Sequence, residues 1–453
     1  MRFSWEVILL WGGSLLIVMG IFTVYLRQFK RREKDNLFTK REAVELGLDR
    51  PPVQHPNIDS YACIGCGSCV AACPEGDVLG MVSGKATIIN GLRCVGHGEC
   101  AKACPVGAVK VGLGDRSKRE DLPLLDERLE TTREGVFIAG ELGGLGLIRH
   151  AVSQGRTAVL NAIEDLEPAN KHIGTSQTTE HADVIVVGAG PAGLSAAITA
   201  WQQGFRVMVL EQGVWGGAML HYPRKSLVLT QPVEIPNVGW LKKPHYAKEE
   251  LLAIWEKAIS DSDVCIEEGV HVAGIEGQRD AFLIHTSQKT YTARRIILAM
   301  GRSGIPRKLG APGEEMTKVA YQLVDAVNFT NDHILVVGGG DSAVEAALAL
   351  ARQPGNTVTL SYRRGRFFRI RKINLERLDA AVDAGSLKVL YHSNVSEIRK
   401  DDVVLQVQDQ KILLPNAFVF VMIGGIPPFG LLKKCGVQLG GPGVTTDWNK
   451  GIA

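Results

Sequence analysis

The chain carries almost no excess of charge. Its 51 Lys and Arg face 48 Asp and Glu over 453 residues, a formal net charge of +3. Such a balance leaves no electrostatic footprint for nucleic acid, and no nucleic-acid partner is expected. Asp, Glu, Lys, Arg and His are wholly missing from 7–26, an apolar run broken only by Gly12, Gly13, Ser14, Gly20 and Thr23. About 20 such residues make a helix of about 30 Å, the depth of a hydrocarbon core. A span without charge is an anchor, not an ion pathway. No small-x-small cleavage site follows it, which speaks against a secretory signal peptide. Arg27, Lys30, Arg31, Arg32 and Lys34 come next, whereas only Arg2 precedes the run and Glu6 offsets it. The positive-inside rule then puts the N-terminus outside and everything after residue 27 in the cytoplasm. The expectation is a single-pass anchor in the cytoplasmic membrane over 1–30. A polar linker with Pro51, Pro52 and Pro56 follows over 31–56.

Cysteine is scarce outside one stretch. Of nine cysteines, only Cys265 and Cys435 stand apart from two matched blocks. The first block is Cys63-Ile-Gly-Cys66-Gly-Ser-Cys69-Val-Ala-Ala-Cys73-Pro74. The second is Cys94-Val-Gly-His97-Gly-Glu-Cys100-Ala-Lys-Ala-Cys104-Pro105, with His97 where a cysteine would repeat the spacing. A zinc site needs four ligands and no paired Cys-Pro ends, and a disulfide framework is out of place in the cytoplasm. Residues 57–113 resemble the two-cluster bacterial ferredoxins, whose spacing the first block repeats. In that family the fourth cysteine of each block serves the other cluster. The resemblance therefore implies one 4Fe-4S cluster on Cys63, Cys66, Cys69 and Cys104, and another on Cys94, Cys100 and Cys73. At the remaining corner His97 ligates iron, leaves a three-iron cluster, or stands beside the cluster as a surface histidine. Ligation is the preferred reading, and an imidazole there would raise the cluster potential.

The body reads as two copies of one plan. The run His181-Ala-Asp-Val-Ile-Val-Val enters Gly188-Ala-Gly190-Pro191-Ala192-Gly193, a small-residue helix follows, and the strand Arg206–Leu210 ends on Glu211. In this plan Gly188 makes the tight turn, Gly190 admits a pyrophosphate, Gly193 lets helix and strand close up, and Glu211 binds a ribose. The second copy runs from His333-Ile-Leu-Val-Val through Gly338-Gly-Gly340-Asp341-Ser342 into a helix expected over Val344–Arg352. Its second strand is Thr357-Val-Thr-Leu-Ser, and it ends in Tyr362-Arg363-Arg364. Arginines suit a 2′-phosphate that an acid would repel, so this half favours NADPH.

These nested folds, over 183–440, resemble the thioredoxin reductase superfamily of flavoproteins, and most closely the small-thiol disulfide reductases related to bacillithiol disulfide reductase. The resemblance implies FAD on Gly188, Gly190, Pro191, Ala192, Gly193 and Glu211, and NADPH on Gly338, Gly340, Asp341, Ser342, Arg363 and Arg364. The family closes its FAD site with a C-terminal strand and helix, but no such piece follows Gly443–Asp447. A matching piece comes early, Thr132-Arg-Glu-Gly135-Val-Phe-Ile-Ala-Gly140-Glu141, followed by a helix expected over 147–164. This reads as a circular permutation placing Gly140 and Glu141 at the FAD, with Glu141 where the family has Asp. The fold class expected is α/β: two nested Rossmann-like folds, a small α+β ferredoxin domain and one N-terminal transmembrane helix. The boundaries are 126–165 for the FAD-closing strand and helix, 166–181 for a linker, 182–318 for the FAD domain, 319–415 for the NADPH domain and 416–453 for the return to the FAD domain.

Relatives of this kind pass electrons from flavin to a cysteine pair. Here 319–330, where thioredoxin reductases carry it, has no cysteine, and the small-thiol reductases' cysteine is Ala192. The expectation is thus an NADPH-dependent FAD/iron–sulfur oxidoreductase exchanging electrons with a one-electron carrier protein or a quinone. Reduction of a small disulfide and a non-enzymatic, membrane-tethered redox sensor are the alternatives. No acid–base residue is assigned as catalytic, because hydride transfer itself requires none. His221 and Tyr222 fall where relatives approach the flavin ring, and the resemblance leaves a homodimer open.

Overall fold

The computed structural model describes residues 5–45, 54–113, 119–168, 180–221, 227–229, 232–243, 245–302 and 304–441. Most of the expected 166–181 linker, Tyr222, and Gly443–Asp447 lie outside the described residues. The chain divides into two compact units, one ending at Gly112 and the other resuming at Leu113.

In the first unit, one helix runs unbroken from Trp5 to Glu45. It is the one helix among the described residues long and apolar enough to cross a membrane. The linker expected over 31–56 is therefore helical as far as Glu45. The reason is visible in retrospect: neither Gly nor Pro occurs between Ile21 and Leu46, so nothing stops propagation once the apolar part has nucleated. The polar part is also docked. Glu33 Oε1 accepts the Ser83 N–H at 2.7 Å, Asn36 Nδ2 donates to the Met81 carbonyl at 3.1 Å, and Ala43 is buried. Two antiparallel pairs follow, His55–Ile58 with Val109–Gly112 and Leu79–Val82 with Lys85–Ile88. Two short helices, Ser68–Ala71 and Glu99–Lys102, each carry the third residue of a metal motif.

The second unit holds the two dinucleotide folds. A seven-stranded sheet orders Cys265–Glu267, Val207–Leu210, His181–Val187, Thr290–Leu298, Ala281–Thr286 and Val272–Gln278. Val136–Ile138 pairs in parallel with Thr290–Leu298 as its seventh strand. The central strands are apolar on both faces because helices cover both. A five-stranded parallel sheet orders Val319–Ala320, Phe418–Val421, His333–Val337, Thr357–Ser361 and Leu387–Leu390. Phe418–Val421 hydrogen-bonds to His333–Val337, so the second fold extends beyond the expected boundary at 415. The chain crosses between the folds on the antiparallel pair Ile305–Pro306 and Gly425–Ile426. Helix Phe429–Lys434 then returns to bury Leu432 in the first fold's core.

The early segment belongs to that same core. Helix Ile148–Ile163 lies against helix Pro191–Gln202, and a Cβ on Gly155 would stand 2.1 Å from the Ala192 carbonyl oxygen. Only glycine allows that approach. Ser195 Oγ donates to the Val152 carbonyl at 2.7 Å across the same contact. Both ends of the segment are pinned by charge. Fully buried Arg295 binds Asp165 at 3.0 Å and Asp280 at 2.7 Å, and Arg279 pairs with Glu134 and Asp165. Arg133 donates to the carbonyls of Ile275 and Cys435 at 2.9 and 2.7 Å.

Candidate functional site

The first cradle lies where strand His181–Val187 turns into helix Pro191–Gln202. Gly188 has φ +104, and a Cβ on it would press on Ala299 O at 2.7 Å. A Cβ on Gly193 would reach 1.8 Å from the Gly188 carbonyl oxygen. Around Gly190 no atom lies within 4 Å of the place its Cβ would take. The two outer glycines thus close the turn, and the middle one leaves open space beside the helix N-terminus, where backbone N–H groups could hold a diphosphate. Pro191 stands at the start of the helix, where its missing N–H leaves no bond unmade. Glu211 ends the next strand with both oxygens engaged. Oε2 accepts the Ala189 N–H at 2.7 Å and Oε1 the Gly213 N–H at 2.8 Å. Each oxygen keeps a second lone pair for a ribose hydroxyl.

Gly140 closes this cradle. A Cβ on it would lie 2.9 Å from the Ala192 Cβ and 3.8 Å from that of Ala151. Glu141 follows on the short helix Gly140–Gly143 and is exposed to solvent. Desolvation pushes its carboxyl up, and the Arg302 charge opposes that. Arg302 also binds Asp121 at 2.9 Å, and Arg119 binds the same carboxylate at 2.8 Å. Burial alone would raise Asp121, but the hydrogen bonds from Arg119 and Arg302 hold it below the usual range. On the first turn of the closing helix, burial and the charge of Arg149 push His150 down to about 4. It is a neutral imidazole at physiological pH. Sequence reasoning missed His150, Arg302 and Asp121: burial of His150 and the approach of Arg302 to Asp121 arise only through folding.

The second cradle repeats the turn with different walls. A Cβ on Gly338 would meet the Met422 carbonyl oxygen at 2.3 Å, and one on Gly339 would enter the Tyr362 ring. Gly340 is flanked by Arg369, whose Nη2 would lie 3.7 Å from a Cβ there. Tyr362 stacks on Phe367 at 4.7 Å. Burial raises the Tyr362 hydroxyl while Arg364, Arg369 and Arg363 act to lower it, so three guanidinium groups gather at this one strand end. Arg364 lies over the Phe368 ring, and its Nη1 is buried without a hydrogen-bond partner among the described residues. A buried, unpaired guanidinium nitrogen fits an anionic ligand such as a ribose phosphate. Ser342 and Arg363 are exposed at the same mouth. Asp341 serves the helix behind the cradle. Its Oδ1 accepts from Arg371 N at 2.9 Å and Asn374 Nδ2 at 2.7 Å, which ties helix Lys372–Asp383 to the glycine turn.

In the first unit the cysteines of the two blocks lie close enough to act on one another. Burial raises the Cys69 thiol, and the neighbouring charges that act on it are those of Cys63 and Cys104. Burial pushes Cys94 up to about 11, with Cys100 and Cys73 as its thiol neighbours. Cys66 is exposed and held low by Ser68, its Sγ lying 3.4 Å from Ser68 Oγ. Among the described residues no three His, Cys, Asp or Glu side chains converge as a single metal ion requires. Zinc would draw sulfurs to about 2.3 Å from one point, whereas a cubane holds its ligands apart on separate irons. Seven thiols and one imidazole in two loops of matched spacing are a donor set that fits iron–sulfur clusters.

Cys265 is exposed on the edge strand of the first sheet, and Cys435 is buried in its core. Ala192, 4% exposed, is enclosed between Gly140 and Gly155. The structure thus brings together the glycines, Glu211, Gly140 and Glu141 at one cradle, and Gly338, Gly340, Arg363 and Arg364 at the other.

Comparison with known proteins agrees with this division. A family model described as pyridine nucleotide-disulphide oxidoreductase matches residues 185–449, and a 4Fe-4S dicluster domain matches residues 55–105. Bacilliredoxin reductase Bdr of Bacillus subtilis (strain 168) is 29% identical over 56% of this chain and 80% of its own length. A ferredoxin–NADP reductase of Ignicoccus hospitalis is 33% identical over 58% of this chain and 84% of its own. The solved structure of bacillithiol disulfide reductase Bdr from Bacillus cereus superposes with a TM-score of 0.52 at 28% identity, covering 57% of this chain and 82% of that one. The model match spans more than half of the sequence, and the chain is an oxidoreductase of the pyridine nucleotide-disulphide oxidoreductase family that also carries a 4Fe-4S dicluster domain.

Proposed function

We propose that this chain is a membrane-anchored oxidoreductase that passes electrons between NADPH, FAD and two cubane clusters, with a one-electron carrier protein or a quinone as outside partner. The observation that carries the reading is the coexistence of two open dinucleotide cradles and eight metal-motif residues in a chain whose flavin cradle has alanine where a redox cysteine would stand. Bound FAD supplies the exchange between a two-electron hydride and the single electrons that clusters carry. The protein's own residues bind, orient and shield. Gly188, Gly190 and Gly193 receive one diphosphate and Glu211 its ribose. Gly338 and Gly340 receive the other, and Arg364 with Arg363 and Arg369 holds a 2′-phosphate.

Three further observations support the reading. Relatives named ferredoxin–NADP reductase match about as well as the one named bacilliredoxin reductase, and here a ferredoxin is part of the chain. The loop of the first motif keeps Tyr61 98% and Ile64 64% exposed beside exposed Cys66, an apolar surface suited to a transient partner. Strand Val136–Ile138 and helix Ile148–Ile163 fill the first fold from a place ahead of the family match. That is the arrangement of a circular permutation. It makes the segment that leaves the ferredoxin at Gly112 the same one that pairs Asp121 with Arg302.

Protein purified without air should contain FAD and about eight irons. Stopped-flow mixing with NADPH should bleach the flavin band first and the iron–sulfur band second. Flavin bleaching with clusters that stay oxidised, whatever acceptor is added, would refute the proposal. Turnover of a low-molecular-weight disulfide at a comparable rate would move the assignment toward the bacilliredoxin reductase relatives.

A further inference from the structure

The two metal loops share one backbone shape. Gly65 and Gly67 flank Cys66 with φ of 74° and 75°, and Gly96 and Gly98 flank His97 with 75° and 87°. Each second glycine caps the short helix that carries the third motif residue. His97 thus takes the backbone place of Cys66, and the chain presents it as it presents a ligand.

Its surroundings then differ from those of Cys66. His97 lines a cavity whose wall also carries Cys73, Cys94 and Cys100, the three thiolates left for the second cluster, and Glu75. His97 Nε2 stands 3.9 Å from Glu75 Oε1, and the two side chains are only 18% and 10% exposed. That separation is beyond hydrogen-bond reach, but the carboxylate charge on the Nε2 side favours the tautomer with its proton there and its lone pair on Nδ1. Glu75 comes two residues after Cys73, so the turn that delivers a thiolate also delivers the carboxylate. Arg93, 6% exposed and next to Cys94, binds Asp77 at 3.0 Å and locks that turn to the opposite wall.

We propose that Glu75 is a positioning residue that fixes His97 as an Nδ1 ligand to the fourth iron of the second cluster. The inference rests on the reading that His97 ligates iron, and it adds which nitrogen binds and what orients it. Carboxylate–histidine–metal arrangements fix ring orientation in this way and raise the basicity of the bound nitrogen. A neutral imidazole replacing a thiolate also makes this cluster the easier of the two to reduce.

The test uses full-length protein prepared without air from cells supplied with histidine labelled with nitrogen-15 at δ1. Pulsed EPR of the reduced protein should show a nitrogen-15 coupling of a directly bound atom. Glu75→Gln should alter that coupling and speed loss of the fourth iron to a chelator by about 10-fold, the low end of the effect of removing such a partner. His97→Cys should abolish the coupling and retain four irons, and adding Glu75→Gln to it should change iron loss no further. No directly bound nitrogen-15 coupling in the unaltered protein would remove Nδ1 ligation, and the inference with it; a strong nitrogen-14 coupling in its place would assign ligation to Nε2. A bound nitrogen whose coupling and iron retention ignore Glu75→Gln would remove the role of Glu75 and leave ligation standing. Equal iron loss on Glu75→Gln in both backgrounds would make Glu75 merely structural and likewise overturn the inference.

Discussion

The two dinucleotide cradles begin alike and end differently. Strand, glycine turn and helix superimpose in plan, His181–Val187 into Pro191–Gln202 and His333–Val337 into Asp341–Ala351. After the next strand, one has the acid Glu211 receiving two backbone N–H groups, and the other has a ring with three arginines around it. Their roofs differ too. The first is closed by a helix packed so tightly that Gly155 meets the Ala192 carbonyl. The second leaves Ser342 and Arg363 in solvent. A glycine turn thus says only that a diphosphate binds. The residues after the second strand choose the ribose, and the roof decides whether the cofactor stays or exchanges. Under the proposed function, the first cradle would keep its nucleotide and the second would trade it.

The sharpest way to break the comparison is a methyl group on each turn. Gly193→Ala forces the Cβ to 1.8 Å from the Gly188 carbonyl. It should yield protein without bound FAD and with a much lower melting temperature, read by absorbance and thermal unfolding. Gly338→Ala, which meets the Met422 carbonyl, should leave FAD bound and abolish its reduction by NADPH. If both variants lose FAD, the cradles are not separate in the way described. Next in size is Arg364→Ala. Losing a charge-assisted bond of about 1.5–3 kcal/mol should cut the preference for NADPH over NADH by roughly 10- to 100-fold in kcat/KM, with FAD content unchanged. Glu211→Ala should weaken FAD binding by about 10-fold, since the ribose loses a charged acceptor whose bond is worth about 1.5 kcal/mol, and should leave the nucleotide preference alone.

The smallest effect concerns pH. Arg119 and Arg302 lower the folded-state value for Asp121 below its unfolded value. The pairing therefore stabilises the fold above the unfolded carboxyl value, and that stabilisation is lost as pH falls through the folded one. The melting temperatures of the wild type and Asp121→Asn should differ at pH 7 and converge toward pH 3. A constant gap would mean the ion pair contributes nothing through charge.

Much of this was legible in the sequence because the signals are local. Gly193 closes on the Gly188 carbonyl five residues back, and each metal-motif block keeps its spacing within one short stretch. The early strand was legible for the same reason, since Gly135-Val-Phe-Ile-Ala-Gly140 is compact. The polar half of the first helix was misjudged because charged residues resemble a linker until one notices that no breaker interrupts them. The boundary near 415 was missed because Phe418–Val421 looks the same in either sheet; only its hydrogen bonds to His333–Val337 assign it. Glu75 gave no signal at all, as an acid after Cys-Pro acquires meaning only once folding brings His97 beside it.

The order of residues alone determined that there are two nucleotide cradles, two metal loops and an apolar N-terminal run. Each rests on neighbours in the chain, and short-range sterics settle such features. Tertiary structure decided what surrounds them: that Val136–Ile138 completes a sheet built from residues far along the chain, that Arg302 holds Asp121, and that Glu75 faces His97. Such pairings bring distant residues together, and no local spacing encodes them; they follow from burying apolar faces against each other.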